Sequence, residues 1–249
     1  MALAAVRTER DELADRVAAM EAAAASAQAP DSVLAEIDGL LQQASHDRRG
    51  LPDQAEQGYW SALDLAIQHR VRGKEGHAWD GLGACRWRAG DREMALKFFT
   101  RADRIADEVN DFWLNAWCLY NFGVYWRRAP APAAAKDFFE QALAVADAHG
   151  CHAAAAWTHH EMAELARDQK DAQQEQEHYA QAARIGLDAG DDVLEGLSLM
   201  QLAGCAERAD DPLQAAEHYT RVLQIGTRIS HQDMIRDAEQ RLAHITGSG

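Results

Sequence analysis

The 249-residue chain is predicted to be all-α, an α-solenoid of five helix-turn-helix repeats with a capping helix at each end. Two observations carry this expectation. The first is a constant period. Gly83 and Gly123 stand 40 residues apart, and Ala163 and Ala203 continue the column. Ala55, Ala95, Ala135 and Ala215 form a second column, broken by Glu175. Tyr59, Phe99, Phe139, Tyr179 and Tyr219 form a third, aromatic in every copy. Ala62, Ala102, Ala142, Ala182 and Val222 form a fourth, and Leu65, Ile105, Val145, Ile185 and Ile225 a fifth. A period of this size without drift marks stacked repeats, none of which can bury its apolar face alone. The second observation is the spacing within a repeat. Ala95, Phe99, Ala102 and Ala106 lie on one stripe of a helix. Small residues let two helices approach closely, and the aromatic ring fills the space beside them. A helical glycine such as Gly83 forfeits about 1 kcal/mol of propensity, which close packing would offset.

The elements follow in order. Residues 1–29 are rich in Ala, Glu and Arg and read as a helix. Val6, Leu13 and Met20 recur every seven residues with Leu3 and Val17 beside them, as in a coiled-coil seam that would make a homodimer. Arg10 interrupts that seam, so a capping helix, or the second helix of a degenerate zeroth repeat, is the alternative. The repeats occupy 30–230. Repeat one has helices near 32–47 and 52–69; repeats two and three cover about 72–110 and 111–150. In repeat three, Pro130 and Pro132 should stop one helix and start the next. Repeat four, about 151–190, is the most polar, and Glu175 in its small-residue column suggests looser packing. Repeat five, about 191–230, opens on Asp191-Asp192, where acidic groups suit the helix dipole. A polar capping helix is expected over 231–246, with Ser230 and Asp233 spaced as a capping box. Residues 247–249 read as a linker or scar.

Composition narrows the function classes. A net charge of −15 argues against nucleic acid or an anionic membrane as the partner, since both reward a basic surface. No run of 18 apolar residues exists, so no membrane insertion is expected. The first residues lack the apolar core of a secretory signal. Cys85, Cys118, Cys151 and Cys205 show no CxxC spacing and read as small buried residues in a reducing cytoplasm.

The columns resemble the tetratricopeptide repeat. Its pattern of Trp, Leu-Gly, Tyr, Ala, Phe and Ala falls on Trp79, Leu82-Gly83, Arg86, Ala95, Phe99 and Ala102, with only Arg86 departing. Later copies vary the first position, as Leu119, His159 and Leu199, and the repeat is longer than the family's usual unit. The resemblance covers about 32–230 and implies a right-handed superhelix whose first helices line a concave groove. Carried over residue by residue, the groove columns hold His77, Trp117, Trp157 and Leu197; Asp80, Tyr120, His160 and Met200; Ala84, Val124, Glu164 and Gly204; Trp87, Arg127, Arg167 and Glu207; and Arg88, Arg128, Asp168 and Arg208. The implied groove is aromatic in its middle and arginine-rich along one edge. Asn121 matches one position of the family's carboxylate clamp, but Asp80, Ala84, Trp157 and Glu161 do not fit the others.

The expected function is therefore a non-enzymatic protein–protein interaction scaffold or adaptor. Its candidate groove residues are Trp87, Arg88, Trp117, Tyr120, Asn121, Arg127, Arg128, Trp157, His160 and Arg167. Trp, Tyr and Arg are the types that anchor interfaces, and Arg pairs carboxylates in a bidentate way. The partner is expected to be a peptide or helix with apolar anchors and acidic flanks. The alternative is a regulatory sensor that changes conformation on binding a small peptide. Equally, the tryptophans could pack against neighbouring helices, and the arginines could simply suit helix C-termini. His152, His159, His160, Glu161 and Glu164 give a weaker enzymatic or metal option, with His160 and Glu164 four residues apart. HHEMAE is not the HExxH motif, so no metal, cofactor or catalytic residue is expected.

Overall fold

The computed structural model describes residues 29–48, 50–129 and 131–247, and these form eleven α-helices and no strand. They are α1 Asp31–Asp47, α2 Pro52–Gln68, α3 Arg72–Arg88, α4 Arg92–Val109, α5 Phe112–Arg128, α6 Pro132–His149, α7 His152–Asp168, α8 Ala172–Ala189, α9 Asp192–Arg208, α10 Pro212–Arg228 and α11 Gln232–Gly247. The five expected helix pairs are α1–α2 to α9–α10, and α11 follows them. The expected helix of residues 1–29 lies outside the described residues except for Ala29, as do Ser248 and Gly249.

The period is visible in the turns. The residues that end the second helices, Arg70, Asn110, Gly150, Gly190 and Ser230, all take positive φ between 55° and 70°. Gly90, at 83°, and Lys170 and Asp210, at 62° and 59°, are likewise left-handed within the repeats. This left-handed conformation closes a helix and releases the chain for the next one. Only glycine adopts it without a Cβ penalty. Lys170→Gly is therefore expected to stabilise the protein by about 0.5–1 kcal/mol, read as a rise in urea midpoint. At the next residue, Asp91, Asp111, Asp171, Asp191 and Asp211 accept the backbone N–H three residues on, at 2.9–3.1 Å. The expected capping box at Ser230 does not form. Ser230 is held at φ 57°. The Nδ1 of His231 faces the Met234 N–H at 3.3 Å instead.

The helices fall into two compact bodies that divide within α5, between Cys118 and Leu119. In the first, α1 packs on α2, α2 on α3 and α3 on α4, and α1 also reaches α3. In the second, each helix from α6 to α11 packs on the next, with further contacts of α7 to α9 and α9 to α11. The extra contacts thus join consecutive first helices. Within either body no two consecutive second helices bring their backbones as close. Within each body the first helices line the tighter face.

The small and aromatic columns meet as their chemistry requires. A Cβ on Gly83 would lie 2.5 Å from the Phe99 ring, and one on Gly123 would lie 2.4 Å from the Phe139 ring. Ala163 and Ala203 pack in the same way with Tyr179 and Tyr219. Gly81 is closer still, with Tyr59 only 2.1 Å from where its Cβ would be.

Repeat four is not loosely packed, contrary to expectation. Glu175 is 4% exposed, and Arg208 reaches it at 2.7 Å from the end of α9. A buried carboxylate needs such a partner. Tyr179 and Ala182 beside it are fully buried. The same solution recurs where Arg221 meets buried Glu195 at 2.9 Å and Arg72 meets buried Glu75 at 2.6 Å.

Candidate interaction surface

In the first body, helices α3 and α5 carry an aromatic face. Trp113 is 48% exposed and Phe112 beside it is 43% exposed, at the start of α5. Trp113 lies one helical turn before Trp117, with ring centroids 5.8 Å apart, and 5.3 Å from the His77 ring of α3. His77 is held by Asp111 through Nε2 at 2.9 Å. Trp113 was not among the sequence candidates. The family columns start at position 77 of α3 and therefore at Trp117 of α5; the longer helix adds a turn that those columns do not reach.

Behind this face, Asn115 of α5 donates to Asp103 of α4 at 3.1 Å and to Asp107 at 3.4 Å. Burial, reinforced by Asp107, pushes the Asp103 carboxyl up to about 6, and the Asn115 hydrogen bond acts the other way. A carboxyl whose folded pKa is raised binds its proton more tightly when folded, so stability is gained as pH falls through about 6 towards about 4. Above that window the ionised group is a cost. Asp103→Asn is therefore expected to stabilise the protein at pH 7.5 by about 1 kcal/mol, allowing for its partial exposure. Denaturation at pH 7.5 and 4 should show the gain shrinking at the lower pH.

In the second body the equivalent face is a polar network. Arg127 of α5 donates to Glu161 of α7 at 3.0 Å and to Asp168 at 3.0 Å, and its side chain is 5% exposed. Arg167 of α7 pairs with Glu164 and reaches Gln201 of α9 at 3.3 Å. Tyr179 donates its hydroxyl to Glu164. At the far end Arg241 of α11 donates to Glu207 of α9 at 3.1 Å. Positions 127, 167 and 207 form one repeat column, and positions 161, 201 and 241 form another. The contacts therefore form a ladder from each first helix to the next, with the charges exchanged in the last rung.

Burial works to lower the Arg127 pKa, but the Glu161 and Asp168 carboxylates outweigh it and leave it raised. Burial raises the Glu161 pKa, although Arg127 opposes it. Burial and the hydrogen bond to Glu164 both push the Tyr179 hydroxyl up. The His160 pKa is lowered by burial, then by Arg167 and Arg127, against the pull of Glu164. Its ring stands edge-on to Trp157, at 5.8 Å, and to Tyr179, at 5.2 Å.

The ten sequence candidates thus differ in environment. Arg88 and Arg128 are exposed at the ends of α3 and α5. Trp87, Trp117, Asn121 and Trp157 are half-buried. The Arg92 guanidinium lies 5.7 Å from the Trp87 ring centroid. Tyr120 is half-buried and packs on the cluster of Ala135, Phe139, Met162 and Leu165. Arg127 and Arg167 already hold carboxylates of their own chain. Glu164, the expected partner of His160 in the metal option, is engaged by Tyr179 and Arg167.

Neither a protein-family model nor a curated protein sequence matches the chain. Solved structures do. One is a signal-transduction ATPase with numerous domains carrying a tetratricopeptide repeat sensor, from Pyrococcus horikoshii. It is 15% identical with a TM-score of 0.64, and the match covers 82% of this chain and 31% of that one. A second is a Rap protein complexed with competence and sporulation factor, 14% identical with a TM-score of 0.61, covering 88% and 66%. A third is PilF of Pseudomonas aeruginosa, 13% identical with a TM-score of 0.55, covering 88% and 96%. At these identities the likeness is one of fold: a tetratricopeptide-like helical repeat. No described helix is long and apolar enough to cross a membrane.

Proposed function

We propose that the chain is a non-enzymatic protein-interaction adaptor that holds a partner peptide or helix against the face of its first helices. The observation that carries this reading is exposed Trp113, packed against half-buried Trp117 and the His77 ring where α3 and α5 of the first body meet. Contiguous exposed apolar surface marks interaction sites, and tryptophan is a frequent interface anchor. The partner offers apolar anchors to Trp113 and Trp117. Its acidic flank meets the exposed guanidinium group of Arg88, at the end of α3 in the same body. Arg127 and Arg167 shape the face and keep their internal carboxylates. None of the four cysteines is in a disulfide, in keeping with work in the cytoplasm.

The test is capture from a lysate of the source cells by the wild type and by Trp113→Ala/Trp117→Ala, with folding checked by circular dichroism. Loss of a specific partner in the folded variant supports the reading, and undiminished capture overturns it. A second reading, a regulatory sensor, draws on the fold neighbours described as a tetratricopeptide sensor and as a Rap protein in complex with a factor. A sensor changes its radius of gyration in small-angle scattering when the partner segment is added, whereas an adaptor keeps it.

A further inference from the structure

Helices α7 and α8 of repeat four bring two imidazoles together in the second body. The Nδ1 atoms of His159 and His178 are 3.0 Å apart, and the ring planes are tilted by 34°. The repeat makes this pair unusual. The equivalent columns hold Trp79 and Phe98 in repeat two, and Leu119 and Phe138 in repeat three. Trp79 and Phe98 pack ring against ring at 5.1 Å, an apolar contact that serves the fold. Repeat five keeps Leu199 opposite His218. Repeat four alone places two nitrogen ligands at the contact, so packing does not account for them.

We propose that His159 and His178 form a two-imidazole site for a late first-row divalent metal ion, Cu2+ or Ni2+ above Zn2+, with water completing the coordination. Without metal, one Nδ1–H donates to the other Nδ1. With metal, that proton moves to the Nε2 of the same ring, and both Nδ1 lone pairs bind the ion. Metal–nitrogen bonds of about 2.0–2.1 Å that span this separation meet at about 95°, nearer the square or tetragonal geometry of Cu2+ and Ni2+ than a tetrahedron. Both rings are half-buried, so solvent can supply the remaining ligands. Burial and then His178 push the His159 pKa down to about 4, and burial lowers that of His178. The surrounding charges balance: Asp147 and Arg184 act on His159, Glu177 and Lys136 on His178. Among the described residues no group of three or more His, Cys, Asp or Glu side chains converges as a metal site, which is why water must complete the shell.

This inference goes beyond the adaptor reading, and its failure would leave partner capture untouched. The test is titration of the purified, chelator-treated protein with Cu2+ and Ni2+, followed by calorimetry. His159→Phe and His178→Phe are the variants, because phenylalanine already fills the second position in repeats two and three. One equivalent should bind the wild type, and either variant should weaken that equivalent by at least about tenfold. Electron paramagnetic resonance of the wild-type Cu2+ adduct should show coupling to two nitrogens. Absence of a bound equivalent, binding unchanged in the variants, or coupling to fewer than two nitrogens would overturn the site.

Discussion

Phe139→Ala is expected to lower the unfolding free energy by about 3–5 kcal/mol, the largest stability effect of any single side chain considered. The Phe139 ring is 0% exposed, and it packs with Met162 and Leu165 beside Ala135. Gly123 lies so close that a Cβ there would be 2.4 Å from the ring. A glycine has no side chain with which to fill the void, so the cavity persists and its full cost is felt. A stacked repeat couples mainly to its neighbours, so the loss should concentrate in the second body. Urea titration followed by circular dichroism measures the total, and hydrogen exchange locates it. A loss below about 1 kcal/mol would mean that the aromatic column is not what holds the repeats together.

Trp113→Ala is expected to do the reverse, changing binding strongly and stability little. Trp113 is half-exposed, so its truncation should stay within about 0.5 kcal/mol of wild-type stability. An interface tryptophan of this kind contributes at least about 1.4 kcal/mol, so affinity for the captured partner should fall at least about tenfold. Trp117 is more deeply set, and Trp117→Ala should weaken binding with some loss of stability as well. Calorimetric titration of the partner into each variant, beside thermal denaturation, separates the two effects.

The small and aromatic columns were legible because each repeat solves the same contact with the same residue types. Gly83 with Phe99 and Gly123 with Phe139 can be read from spacing alone. The polar contacts were not legible in this way. Glu175 looked like a flaw in a small-residue column, because its partner Arg208 lies 33 residues on and in another repeat. Arg127 and Arg167 looked available to a ligand, because the column that answers them, at 161 and 201, changes from Glu161 to Gln201 and then to Arg241. Ser230 has the side chain of a helix cap, but the chain needs a left-handed residue there, and the cap passes to His231. Trp113 was missed because the pattern carried over was that of a shorter repeat.

On the proposed function, a partner segment lies against the aromatic face of the first body. The most direct measurement places a photoreactive phenylalanine analogue at position 113 and, as a control, at position 213, where Leu213 is exposed at the start of α10. After irradiation in lysate, a crosslinked partner is expected from position 113 that Trp117→Ala diminishes, and none from position 213. A partner crosslinked only from position 213, or from 113 regardless of Trp117, would contradict it.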